Sequence, residues 1–449
     1  MELESIIRGI IGVFFIIGIA FLFSNNKKRI NWKLVGMGFL IQLTFAIFII
    51  HSETLRSLFF PLGWIKDGIN WLGGAVVSLL NFTSEGSRFV FGRLADNSGS
   101  ESLGFYFAFQ VLPTIIFVSS LTSVLYYLGV LQLVVKGMAK VMVKLMGTSG
   151  AESLSNTANI FVGQTEAPLL IRPFIGTMTN SELYTIMCGG MATIAGGVMA
   201  SYIQMLGQSF AEAHNIPLDE AQVKFAVQLL AASVMAAPAS LAISKIIFPE
   251  TEEPKTKGTV KLEVEKNASN VIEAAATGAG DGLQLALNVG GMLLAFIALI
   301  AMLNYLLSGA GDLVGVNEYL RTNFGQPLSM QLILGSVLQF LAFAIGVPWS
   351  DAFTFGSIFG TKVVLNEFVA YLDLAGAVKA GLLSDKGTMM ATYALCGFAN
   401  FSSIAIQIGG ISPLAPHRKK DIAALGLKAV LGGSLATLMT ATIAGILVG

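Results

Sequence analysis

The sequence predicts an all-α polytopic membrane protein of eight transmembrane helices plus two re-entrant hairpins, laid out as inverted repeats. Three observations carry that expectation. The 449 residues are 54% hydrophobic and only 12% charged, with zero formal net charge and a mean hydropathy of +0.73. Soluble domains carry about twice that fraction of charge. Uncharged runs lie between Glu101 and Lys136, Glu182 and Glu212, Lys224 and Lys245, Asp281 and Asp312, Arg321 and Asp351, and Lys386 and Arg418. Most are long enough for the about 20 residues that cross a bilayer core. Finally, two polar motifs, GQTEAPLLIRP at 163–173 and GTKVVLNEFVAY at 360–371, lie inside otherwise apolar sequence. Ionisable groups at membrane depth cost roughly 2.5–3.5 kcal/mol each, so such groups face a cavity or a partner and mark a substrate or ion path.

The elements follow in order. Residues 6–23 form an apolar run with no small-residue cleavage site after it, and they lead through NNKKR at 25–29 into a second apolar run at 34–50. This predicts a first membrane helix rather than a removed leader, with the basic loop on the cytoplasmic side. Residues 51–100 carry Trp64, Trp71, Arg88, Arg93 and Asp96 among short apolar pieces, which predicts an interfacial helix and loop on the outer side. A third helix is expected over 106–128. After it, 131–146 place Lys136, Lys140 and Lys144 at a spacing of four, along a face opposite Leu133, Val134, Val141 and Leu145. That pattern predicts a helix lying on the cytoplasmic surface.

Residues 147–175 are too interrupted by Gly, Ser, Asn and Pro for a simple span, and irregular backbone at depth is tolerated only where protein or a water-filled cavity satisfies it. A re-entrant hairpin is expected there, with GQTEAPL at its centre. The fourth helix, 183–206, contains MATIAGGVMASY, whose Gly196 and Gly197 could let it unwind. The fifth, 225–248, ends before Pro249. Residues 250–270, rich in Lys, Glu, Thr and Pro, predict a solvated cytoplasmic linker.

Beyond the linker the order repeats: a sixth helix at 283–307, a surface element at 328–346, a broken stretch at 347–374, a seventh helix at 388–410 and an eighth at 422–448. The chain thus divides into an N-terminal region (1–104), a first repeat (105–249), the linker (250–270) and a second repeat (271–449). Gly147 precedes Glu166 by 19 residues and Gly346 precedes Glu367 by 21. Each repeat holds three crossings, an odd number, so the second is inverted. This is the plan of secondary transporters, which bind at the repeat interface near the midplane. With the 25–29 loop inside, the three-lysine helix, the linker and the loop 417–420 also fall inside, and both termini outside.

Some classes of function are disfavoured. Cys188 and Cys396 lie within apolar segments without metal-type spacing. Neutral net charge without long basic tracts gives no reason to propose a nucleic acid partner. His51, His214 and His417 fall in expected loops and form no catalytic constellation. GAGDG at 278–282 lacks a preceding strand and a following lysine, so it does not read as a phosphate loop. An intramembrane enzyme would need a nucleophile and base or a metal cluster, and the polar motifs offer only carboxylates with amides.

GQTEAPL, GTKVVLNEFVAY and CGFANFSSIAIQIGG, in this order and spacing, resemble the concentrative nucleoside transporter family over essentially the whole chain. The resemblance implies a homotrimer in a bacterial plasma membrane that imports nucleosides by symport with a cation, sodium or in some members protons. It implies an elevator mechanism, in which the hairpins and broken helices four and seven move past a scaffold containing helices three and six. Carried over by residue, Gln164, Thr165, Glu166 and Val198 would serve the base, with Phe398 against it. Glu367, Asn400 and Ser403 would serve the ribose. Sodium would be held by the side chains of Asn159 and Thr193, where a serine is also found, and by the backbone of Val162 and Ile194. No cofactor is implied beyond the coupling ion.

The chemistry of these residues agrees. A carboxylate accepts two hydroxyl donors, and amides both donate and accept, so Glu367 with Asn400 suits a diol and Gln164 a base edge. Asn159 and Thr193 offer hard neutral oxygens, which suit an alkali cation better than zinc. Blander roles exist for each: an ion pair of Glu166 or Glu367 with Arg172 or Lys362, helix capping by Asn159, back-bonding by Thr193 and core packing by Phe398. A nucleoside sensor or gated channel remains an alternative and would bind without concentrative uptake.

Overall fold

The computed structural model describes residues 3–51, 63–95, 105–259 and 268–448, and among these the regular structure is helical throughout. Helices α1 (Leu3–Leu22) and α2 (Trp32–Ile50) flank the basic turn Lys27–Arg29. Where short apolar pieces were expected, a single helix α3 runs over Gly63–Phe91. Its buried positions Gly73, Val77, Leu80, Thr83 and Ser87 recur at helical spacing, a period that Asp67, Glu85 and the scattered glycines obscure in the sequence. Trp64 and Trp71 on it are exposed. The rest of the interfacial region expected before residue 105, at 52–62 and 96–104, lies outside the described residues.

Helix α4 (Leu112–Tyr127), preceded by the turn Phe107–Gln110, leads into α5 (Val130–Met146). Leu133, Val134, Val141 and Leu145 are exposed on α5, while Val135, Ala139, Met142 and Met146 are buried. An outer face mixing these apolar residues with Lys140 and Lys144 suits the boundary between headgroups and hydrocarbon. Then come α6 (Gly150–Ala158), the turns Ala167–Ile171 and Arg172–Ile175, and the two halves α7 (Asn180–Ala192) and α8 (Gly196–His214). Helix α9 (Leu218–Ile247) closes the first half.

The linker expected to be wholly solvated is partly docked. Gly150 N donates to Thr256 O at 2.9 Å and Ala151 N to Thr256 Oγ1 at 3.1 Å, and Thr256 is buried. Two first-turn N–H groups of α6, which have no partner within the helix, are satisfied by this strap. Residues 260–267 lie outside the described residues.

Helix α10 spans Val271–Val314, 44 residues, far longer than the expected 283–307. At 1.5 Å per residue it is about 66 Å long, roughly twice a hydrocarbon core. Its buried stripe is Ala274, Gly278, Gly282, Ala286 and Val289. The glycines sit against α4, where a Cβ on Gly278 would lie 2.9 Å from Ser120 Cα and one on Gly282 2.8 Å from Ile116 Cα. Small residues four apart let membrane helices approach backbone to backbone. Gly278 and Gly282 of the GAGDG run therefore belong to a packing seam.

After α11 (Asn317–Phe324) the second half contains α12 (Met330–Ala344), the pair α13 (Trp349–Val364) and α14 (Glu367–Lys379), the halves α15 (Asp385–Leu395) and α16 (Phe401–Ile411), and α17 (Lys419–Val448). Among the described residues, seven helices are long and apolar enough to cross a membrane. The seventh expected crossing, 388–410, is split into α15 and α16 of 11 residues each. Helices α7, α9, α15 and α17 pack together as the core, with α1 along α17 and α12 along α13. Arg8 Nη2 also donates to Val347 O at 2.8 Å, tying the first helix to the start of the second hairpin.

Candidate functional site between the two halves

The first hairpin starts from a reciprocal cap: the Ser149 hydroxyl accepts from Glu152 N, and the Glu152 carboxylate accepts from Ser149 N. Beneath it, Lys245 of α9 lies 2.8 Å from Glu152 within a buried pair, and Ser149 Oγ donates to Glu182 at 2.6 Å. The hairpin is thereby anchored to α7 and α9. Its far end is the turn from Gly163 to Glu166, closed by Gly163 N donating to the Glu166 carboxylate. The backbone bond from Gly196 N to Phe161 O, 3.3 Å, brings this end against the interruption between α7 and α8 at 193–195. That break begins just before Gly196 and Gly197, which themselves open α8.

The second hairpin mirrors this. Helices α13 and α14 meet through Leu365 and Asn366, and the Asn366 side chain caps α14 by accepting from Val369 N at 3.0 Å. Glu367 is thus the first residue of α14, where a carboxylate is favoured by the helix dipole. The break between α15 and α16, at 396–400, ends in Asn400, whose Oδ1 caps α16 by accepting from Ser403 N at 2.9 Å. With Oδ1 so committed, Nδ2 faces away and donates to Glu367 Oε2 at 2.8 Å. Tyr202 of α8 donates its hydroxyl to the other carboxylate oxygen at 3.3 Å.

The two hairpins and two breaks converge. Gln164 at the first hairpin tip donates to Ser403 Oγ at 3.3 Å and accepts from Gln407 Nε2 at 3.1 Å, so the halves of the chain are hydrogen-bonded across their interface. Gln407 Nε2 also donates to Met187 O of α7 at 2.9 Å. The second break crosses the end of α7 in direct contact, because a Cβ on Gly397 would lie 2.7 Å from Met191 O. Only glycine allows that approach.

Gln164, Glu367, Asn400 and Ser403 therefore form one buried polar cluster. Val198 is buried nearby in the first turn of α8, and Phe398 is half-buried within the second break. Thr165 instead packs against Gly410 of α16. Glu166 is exposed and lines a cavity of about 380 Å³ between the first hairpin, the start of α8 and the α4–α10 pair, shared with Ser119, Tyr126 and Asp281. The cavity reaches Val162 and Gly163, and Glu367, Asn400 and Ser403 are not in its lining. Among the described residues neither Glu166 nor Glu367 lies within 4.0 Å of a cationic side chain, so the simple ion-pair role does not hold.

The residues singled out for a cation lie on the two segments that the Gly196–Phe161 backbone bond joins. Asn159 ends α6, is 1% exposed, and neither its amide oxygen nor its amide nitrogen has a hydrogen-bond partner. Leaving such groups unpaired costs about 1–3 kcal/mol each, so native structures rarely keep them without a ligand. Thr193 and Ile194, both buried, lie in the adjacent break, and Thr193 Oγ1 donates to Gly189 O at 3.0 Å, which leaves its lone pairs free to accept. An orphaned amide oxygen, a hydroxyl and nearby carbonyls are the donor set of a hard monovalent cation.

Sequence reasoning missed Tyr202 and Gln407. Both lie inside the motifs MATIAGGVMASY and CGFANFSSIAIQIGG. The signal for Gln407 was there to be read: a single amide in an apolar helix must find an internal partner.

Comparison with known proteins places this geometry. Residues 228–445 match a profile described as Na+ dependent nucleoside transporter C-terminus, 11–94 its N-terminus, and 108–209 one described as nucleoside recognition. The nucleoside permease NupC of Helicobacter pylori is 42% identical over 99% of this chain and 98% of its own. The sodium/nucleoside cotransporter 1 of Rattus norvegicus is 40% identical over 97% of this chain and 63% of its own. The solved structure of CNTnw in an inward-facing substrate-bound state superposes with a TM-score of 0.85 at 42% identity, covering 99% of this chain and 98% of that one.

Proposed function

This chain belongs to the concentrative, Na+ dependent nucleoside transporter family, and from that premise we propose that it imports nucleosides by symport with a cation, sodium in preference to protons. It is a nucleoside transporter of the family and a multi-pass plasma-membrane protein. The observation that carries the finer reading is the polar cluster joining the halves of the chain: Gln164 against Ser403 and Gln407, beside Glu367 with Asn400 and Tyr202. Its groups supply a paired acceptor for sugar hydroxyls and amides for a base edge, without a nucleophile and base pair. Because these groups bond one another, a substrate entering between the hairpins exchanges those bonds for its own, which couples occupancy to the fit of the two halves. The orphaned Asn159 amide supports sodium at the first hairpin.

In this reading the chain makes eight crossings, with the two hairpins re-entrant and α15–α16 the seventh crossing. The hairpins with α7, α8, α15 and α16 form a moving transport domain, and α4 with α10 forms the scaffold of a homotrimer. The apolar exposed flank of α10, with Leu287, Leu294 and Leu306, supports a lipid or subunit environment there. Cysteines placed at Asn26 and Lys420 should be protected from a membrane-impermeant reagent applied outside; prompt external labelling of either would reverse the orientation.

Radiolabelled nucleoside uptake into proteoliposomes under an imposed sodium or proton gradient tests the function. Accumulation above the external concentration with inward sodium is the expected result, and accumulation with protons alone would favour the proton-coupled reading. Binding without accumulation would point to a sensor or channel. Within the same assay Gln164→Ala should reorder the preference among bases, since its amide serves the base edge, while losing less discrimination against 3′-deoxy analogues.

A further inference from the structure

Lys362 is a fully buried cationic side chain that this mechanism leaves unused. It lies in the last turn of α13, fully buried at 0% exposure. Among the described residues no carboxylate lies within 4.0 Å of it. Its Nζ donates to Ala394 O at 2.8 Å and to Thr437 Oγ1 at 3.2 Å. The Thr437 hydroxyl itself donates to Ser434 O at 3.0 Å, so its lone pairs face the amine. The amine's hydrogen bonds go to a carbonyl and a hydroxyl oxygen, with the Phe359 ring 5.5 Å away, which is closer to the donor set of an alkali cation than to that of an ion pair.

The internal repeat says which cation site this is. Thr193 follows Glu166 by 27 residues, and Ala394 follows Glu367 by 27. Each falls at the end of the first half of a broken helix, α7 or α15, where the carbonyls carry the negative end of the helix dipole. Asn159 lies seven residues before Glu166 and Lys362 five before Glu367, each on the inbound arm of its hairpin. Carbonyl ends of half-helices are where coupling ions are coordinated in inverted-repeat transporters.

We propose that Lys362 is a tethered cation: its ammonium permanently fills, in the second repeat, the site equivalent to the one an exchangeable cation occupies at Asn159 and Thr193 in the first. The ammonium latches the second hairpin to the end of α15 and to α17, as a bound ion would latch the first hairpin to the break after α7. One latch is covalently fixed and the other exchanges with solution, so the pair of sites couples transport to a single cation. The proposal rests on the reading that the first hairpin binds a cation.

The test compares uptake against sodium concentration in proteoliposomes for the wild type, Lys362→Met and Lys362→Ala. The methionine keeps the bulk and removes the charge; uptake should fall about ten-fold or more. The alanine leaves room for an ion. Its uptake should recover with ethylammonium, or with raised sodium and a Hill coefficient rising from about 1 towards about 2. Melting temperatures in detergent give a second readout, with ethylammonium stabilising Lys362→Ala and not the wild type. Should the alanine protein fold only when ethylammonium is present, that too supports the tethered cation.

Wild-type uptake and sodium dependence in Lys362→Met would overturn the proposal. So would a Lys362→Ala protein that neither ion restores or stabilises, or one that is active with an unchanged Hill coefficient. Asn159→Leu measured alongside keeps the two readings separable. Sodium-independent wild-type uptake would remove the cation from the first hairpin, whereas the ethylammonium response at position 362 is read without sodium.

Discussion

Glu367→Gln is expected to lower uptake of every ribonucleoside at sub-saturating concentration by a similar factor, roughly ten- to a hundred-fold. A charge-assisted hydrogen bond is worth about 1.5–3 kcal/mol, which converts to that range. The substitution is a test of charge rather than of folding, for a geometric reason. Asn400 is locked by its cap on Ser403 N and must present Nδ2 to position 367. Glutamine can still accept that bond with its carbonyl oxygen, and the Tyr202 hydroxyl can rotate to accept from the amide. What disappears is the second strong acceptor for sugar hydroxyls. The loss should therefore be much smaller for 3′-deoxy nucleosides, which competition assays with uridine, adenosine and their 3′-deoxy analogues would show. If the variant instead discriminates among bases and ignores the 3′-hydroxyl, the substrate lies the other way round.

Asn159→Leu should abolish sodium-driven accumulation. One cation moving with a neutral substrate gains about 2.3 kcal/mol per 100 mV, on the order of fifty-fold accumulation. Without the ion, internal and external nucleoside merely equilibrate. Leucine is close to asparagine in shape and removes two buried polar atoms that have no partner, a change that is nearly neutral or stabilising when nothing else is lost. In sodium-free buffer the variant should accordingly melt no lower than the wild type, and added sodium should raise only the wild type's melting temperature. Sodium dependence that survives the substitution would remove the cation from Asn159, and wild-type accumulation driven by protons without sodium would move the coupling to protons.

The sequence carried the membrane class and the polar motifs, because buried carboxylates and amides in apolar runs are costly enough to stand out at Glu367, Gln164 and Asn400. Family resemblance then supplied which of them would face a substrate. What could not be read was the partnering. The bonds from Gln164 to Ser403 and Gln407 join residues more than two hundred positions apart, and no local pattern reports them. Helix α3 was hidden because its charges break the hydropathy without breaking the helical period. The length of α10 was missed for a related reason: its first turns are small and polar, and their buried stripe of Ala and Gly looks like loop composition until it meets α4. The strap at Thr256 is a tertiary contact in a segment whose composition signals only solvent.

The crossing of the second break over the end of α7, Gly397 against Met191, also sets an order of manufacture. A chain emerging from the ribosome presents α7 and its interruption some two hundred residues before the segment that completes them exists. The first helix waits longer still, since α17, along which it lies, follows α16 in the chain. Contacts of such sequence separation form late and slowly. Until then the nascent first half holds an open polar interruption and an unpaired Gln164, surfaces that invite chaperones or wrong neighbours. The polar cluster is thus built late, and a copy synthesised only as far as the linker has no such cluster assembled between its halves.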